Sequence, residues 1–92
     1  MRNTADAHLD HVVEAIENYL SRHRGAADSE LGVVQWWLHD WRQESGQSPS
    51  VEDVRQALLR LQQRGVVEAL DVVGAGRLWR AAPGHKPGEV ND

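Results

Sequence analysis

Residues 50–82 read SVEDVRQALLRLQQRGVVEALDVVGAGRLWRAA, and this stretch decides the fold. Val51, Val54, Leu58 and Leu61 recur at helical spacing and define a core-facing stripe. Ser50 stands where an N-cap belongs, with Asp53 as the acidic member of a capping-box-like pair. Gly65 supplies the stop, so the spacing predicts a helix over 50–64. Val66–Val73 is rich in β-branched residues and predicts a strand. Gly74, Ala75 and Gly76 allow the positive φ of a tight hairpin, and residues 77–82 return as a second strand.

Two further helices precede this stretch. Leu9, Val12, Val13, Ile16, Tyr19 and Leu20 form one apolar face of a helix over 7–24. Asp10, Glu14, Glu17, Asn18 and Ser21 make its acidic, wet face. Thr4 or Asp6 is placed to cap this helix, Arg22 and Arg24 suit its last turn, and Gly25 is read as its left-handed stop. His23 is read at the edge of its core side. A cap at Asp28 or Ser29, with Glu30 in the first turn, starts a second helix over 29–44. At ~100° per residue, Leu31, Val34, Trp37, Leu38 and Trp41 share one side of it, and Trp36 falls nearly opposite. That helix is expected to fray near Glu44 and Ser45, before a loop over 46–49. A short strand around Ala26–Ala27 is expected to add a third edge to the hairpin.

The remaining segments are a loose leader (1–6) and a tail (83–92) that holds two Pro, two Gly and almost no apolar content, expected to be disordered. Ninety-two residues make one small domain (7–82), with 40% hydrophobic and 26% charged residues as in globular proteins. No apolar run approaches the ~20 residues of a membrane span, so no membrane partner is expected. With no cysteine there is neither a disulfide nor a thiolate zinc site. The expected location is cytoplasmic.

The run quoted above resembles the recognition helix and wing of bacterial winged helix-turn-helix proteins. The resemblance extends over about residues 9–82 once the first two helices are included, and no single family within that superfamily stands out. It implies a mainly helical α+β fold, a three-helix bundle followed by a C-terminal β-hairpin wing. One departure is the second helix, longer and more aromatic than that element usually is, with Trp36, Trp37 and Trp41.

The same resemblance implies a transcription-regulator-like DNA binder, with helix 50–64 in the major groove and the hairpin tip on the backbone or minor groove. Arg55, Gln56, Arg60 and Gln63 are then the candidates facing bases and phosphates, and Arg77 the wing contact. Phosphate binding draws on a basic field, whereas this chain has 14 acidic and 10 basic residues, a net charge of −4. Glu52 and Asp53 also place carboxylates at the turn that would approach DNA most closely. One acidic domain offers few phosphate contacts, so a DNA-binding form is expected to be a homodimer. The alternative is a winged-helix adaptor that docks on a protein through helix 28–44, with exposed Trp36 as its anchor.

Trp79 and Leu78 point to opposite faces of their strand; in such a fold Trp79 packs under the first helix. His8 and His11 stand three apart on one helix, but spacing fixes no third ligand, so no metal site or cofactor is expected. No nucleophile elbow or phosphate loop occurs, and no enzymatic activity is expected.

Overall fold

The computed structural model describes residues 4–74 and 76–83, with side chains from Ala7 onward. The described chain is α+β and mainly helical. Its elements run α1 (Thr4–Arg22), β1 (Ala27–Asp28), α2 (Glu30–Gly32), a π-helical segment (Val33–Trp37), α3 (His39–Ser45), α4 (Val51–Gln63), β2 (Val67–Val72) and β3 (Gly76–Ala81).

The apolar stripe of α1 is buried as the pattern requires: Val12, Val13, Ile16 and Leu20 enter the core, and Leu9 and Tyr19 pack against it. The helix begins at Thr4, inside the stretch read as a leader. Met1–Asn3 and the capping side chains of Thr4 and Asp6 lie outside the described residues. The exit differs from expectation. Backbone bonds from His23 N–H to the Tyr19 carbonyl (2.9 Å) and from Ala26 N–H to the His23 carbonyl (3.0 Å) close the turn. Gly25 is not among the glycines with positive φ, because this turn needs no left-handed residue. His23 is exposed rather than at the core edge, its ring stacked on Tyr19 at 4.3 Å.

The single helix expected over 29–44 is broken. Leu38 sits at φ −99°, ψ 9° between the π segment and α3. Its N–H donates to the carbonyl of Val33, five residues back, at 3.1 Å. In an α-helix Val33 and Leu38 would stand about 140° apart. A turn closed over five residues takes in one more residue and swings Leu38 back toward Val33. Val33, Trp37 and Leu38 are all buried in consequence, while Leu31, expected in the core, is 52% exposed. Val34 and Trp41 pack only partly against the core.

An indole anchor holds this segment in place. Trp37 Nε1–H donates to Asp28 Oδ2 at 2.9 Å. The Asp28 side chain lies over Gly32 so closely that a Cβ there would meet its Oδ1 at 2.6 Å. Ser29, not Asp28, caps α2, its hydroxyl accepting from Gly32 N–H at 3.2 Å.

α4 follows its sequence signals. Ser50 Oγ accepts from Asp53 N–H at 3.0 Å and Asp53 Oδ2 accepts from Ser50 N–H at 3.1 Å, a reciprocal capping box. Val54, Ala57, Leu58 and Leu61 are buried. Val51, expected among them, is only half-buried, and Leu59, expected at the flank, packs against the core.

β1, β3 and β2 lie in that order in one antiparallel sheet. The expected third edge forms at Ala27–Asp28, which pairs with Arg80 and Trp79. In the hairpin, Val67 pairs with Ala81, Ala69 with Trp79 and Asp71 with Arg77, all on the face turned toward the helices. Gly74 and Gly76 take φ of 85° and 77° at its turn, where a Cβ would be strained. Trp79 is fully buried, as expected, and Leu78 is half-buried on the outer face. Its indole Nε1 has no hydrogen-bond partner among the described residues. Residues 84–92, most of the expected tail, lie outside the described residues.

Candidate functional site

At the hairpin tip Asp71 and Arg77 continue the sheet's inner face past the core. Together with Val72 and Gly76, the next pair of the ladder, and Val73 at the turn, they border an open concavity of about 850 Å³ over the starts of α2 and α4. The apolar side chains that line it are Leu31, Val51, Val72 and Val73. Three of these are exposed: Leu31 at 52%, Val72 at 41% and Val73 at 103%. Each arrives by a different local rule. Leu31 follows the Ser29 cap and is turned outward by the change of pitch after Gly32. Val51 is the first residue of α4, ahead of the buried stripe. Val72 and Val73 carry the β-rich run to the very tip, beyond any core to cover them.

The charged lining is already paired. Arg55 Nε–H donates to Glu30 Oε1 at 3.1 Å, and its Nη1 to Glu52 Oε1 at 2.7 Å. Glu52 takes a second bond through Oε2, from Gln56 Nε2 at 2.8 Å. Arg77 Nε lies 3.5 Å from Asp71 Oδ1. The lining itself holds two carboxylates, Glu30 and Asp71, and two guanidinium groups, Arg55 and Arg77, so its formal charge balances.

Asp53 ties this region to α1. The Ser50 backbone N–H, the largest influence, acts with the Ser50 hydroxyl and the His8 ring to hold its carboxyl below the usual aspartate value, against the opposing effect of burial. His8 Nε2 lies 3.3 Å from Asp53 Oδ2, and Nδ1 lies 2.9 Å from Gln47 Oε1. His8 is thus engaged by the α4 cap and its loop, and His11 is exposed. Among the described residues, no three His, Cys, Asp or Glu side chains come together to hold a metal.

Of the residues singled out from sequence, Arg55 and Arg77 are brought together in the concavity. Gln56 stands beside it, and Gln63 is exposed at the far end of α4. Arg60 is elsewhere. Its Nη1 donates to Asp10 Oδ1 at 2.7 Å, so the side chain reads α1, not the outer face of α4. Trp36 is 66% exposed and does not line the concavity. Sequence reasoning missed Leu31 and Val51 by assigning them to the core, and Val72 and Val73 by reading them only as strand. The signal that could have found the last two is an apolar pair running into a glycine turn.

No family model, no curated protein and no solved structure matches this chain. The site is therefore interpreted from its own geometry. Among the described residues no helix is long and apolar enough to cross a membrane.

Proposed function

We propose that this chain is a winged-helix-like module that docks on a protein through the concavity beneath its hairpin. The winged-helix assignment draws support from the order of elements: helices before a capped α4, then a hairpin joined by a short third strand. The observation that carries the docking reading is the gathering of Leu31, Val51, Val72 and Val73, from three separate elements, into one open surface with a charged rim. An apolar centre with a polar rim is how protein interfaces are built. Exposed Trp36 lies outside that centre, so the anchor on helix 28–44 moves from Trp36 to Leu31.

DNA recognition would use the same face, with α4 in the major groove. There the guanidinium groups of Arg55 and Arg77 would have to leave Glu30, Glu52 and Asp71 before meeting phosphate, and the carboxylates would remain. This favours the protein partner.

Two measurements separate the readings. Duplex DNA titrated at low salt should give no binding tighter than the ~1–100 µM range of non-specific association. A photo-crosslinking residue at position 73 should capture one discrete protein in producing cells, and Leu31→Asp should abolish capture without lowering the melting point. Tight DNA binding that Arg77→Ala weakens, with its salt slope reduced by about one unit, would sink the docking reading.

A further inference from the structure

We infer that the free edge of β2 pairs antiparallel with the same edge of a second copy of this chain, across a two-fold axis at Leu70. β3 lies between β1 and β2, so among the described residues β2 has β3 on one side and an open edge on the other. The bond from Ala82 N–H to the Val66 carbonyl (2.9 Å) sets the phase of the hairpin ladder. It turns the backbone groups of Glu68, Leu70 and Val72 toward β3, and those of Val67, Ala69 and Asp71 outward. That outward row is a template for another strand. Edges are commonly blunted by proline, lysine or a bulge. β2 contains neither residue, and its register with β3 is unbroken from Val67 to Val72.

The side chains point to an identical edge as the occupant. Glu68 and Asp71, the charged residues of β2, each face a guanidinium of β3: Arg80 Nε is 2.6 Å from Glu68 Oε2, and Arg77 Nε is 3.5 Å from Asp71 Oδ1. The hairpin edge is therefore formally neutral and meets its own copy without local repulsion. An outward row must face an outward row, which places the two-fold axis opposite a residue rather than between two. An axis at Glu68 or Asp71 sets a carboxylate against itself, which is repulsive. An axis at Ala69 sets Leu70 against Glu68. An axis at Leu70 sets Leu70 against Leu70, Glu68 against Val72 and Ala69 against Asp71. Leu70 already pairs with Leu78 on the outer face, both half-buried, so this register joins two leucine pairs into one apolar row. Leu31 and Val51 take no part, and the pairing does not depend on the docking reading.

The chain has no cysteine, so single cysteines report the geometry. Opposed residues of a non-hydrogen-bonded antiparallel pair have Cα atoms about 4.5 Å apart, within disulfide range. Leu70→Cys under a mild oxidant should give covalent dimers. Val72→Cys, more exposed on the same face, should not, because its own copy lies about 13 Å away along the strand. Sedimentation in ~1 M salt, where the screening length is about 3 Å, removes the repulsion between two chains of net charge −4 and should show a dimer that grows with concentration. Where nine chains in ten are paired, amide exchange at Ala69 and Asp71 should slow about tenfold, since it then proceeds through the monomer. Asp71→Pro removes one outward N–H and no bond to β3, and should sediment as a monomer; Asp71→Asn and Leu31→Asp should still pair.

A wild-type chain that stays monomeric at millimolar concentration would overturn the inference. So would linking of Val72→Cys equal to that of Leu70→Cys, or dimers that survive Asp71→Pro. Loss of the dimer in Leu31→Asp would place self-association at the concavity and overturn both this pairing and the docking of a different protein there. Failure to capture a partner at position 73, with Leu70→Cys linked, would sink the docking reading alone.

Discussion

Leu31 and Leu38 occupy the same side of an unbroken helix, so helical periodicity assigns them equal roles; the π segment separates them. Leu38→Ala and Leu31→Ala measure that separation. Leu38 is 0% exposed, and its truncation removes three carbons from the core. At ~0.8 kcal/mol per buried methylene, the lost transfer energy is about 2.4 kcal/mol. If ~40 Å³ of the vacated volume stays empty, a cavity term of ~24 cal/mol per Å³ adds about 1 kcal/mol, for a total near 3.4. Leu31 is 52% exposed in an open concavity, so it loses about half the transfer energy and leaves no cavity: about 1 kcal/mol. Urea unfolding followed by tryptophan fluorescence reads the difference, since Trp37 and Trp79 are buried. With a slope near 1 kcal/mol/M for a small domain, the midpoints should fall by about 3 M and about 1 M. Equal losses, or a larger loss for Leu31→Ala, would refute the break at Leu38.

Three other outcomes follow from the same geometry. Asp53 is held below its ordinary value, so the unfolded chain binds more protons as pH falls; the stability it contributes is full above the unfolded value and is lost as pH drops through the folded one. The urea midpoint of the wild type should therefore fall more steeply than that of Asp53→Asn on acidification below about pH 5, and parallel curves would contradict the assignment. Gly32→Ala, helix-favouring by propensity, should instead cost ~1–3 kcal/mol by pushing Asp28 off the Trp37 indole. Asp28→Ala should shift the same indole resonance, and the double variant should lose less than the sum. Arg60→Ala should cost no more than about 1 kcal/mol, the range of a partly exposed ion pair, and a larger drop of the urea midpoint would contradict that range.

Much of the fold was legible because its signals are local. Ser50 and Asp53 cap α4 through neighbours three residues apart, and the glycine-flanked turn reverses the chain between two β-branched runs. Strand alternation set Trp79 and Leu78 on opposite faces without deciding which is inside, and packing against the helices put Trp79 there. The candidate face was not legible in that way. Leu31 obeys helical spacing and still stands exposed, and Val51 is covered only in part, because the elements that would have to cover them lie elsewhere.

The order of elements, the hairpin, the cap of α4, the buried stripes of α1 and α4 and the net charge of −4 were determined by the sequence itself, since each depends on residues within a turn or a strand of one another. Only the tertiary structure decided the break at Leu38, the outward turn of Leu31, the pairing of Arg60 with Asp10 across 50 residues and of Arg55 with Glu30 across 25. The reason is the range of the forces involved. Periodicity reports which face of one helix is apolar, but the carboxylates that Arg60 and Arg55 meet across the fold depend on distant segments brought together by packing.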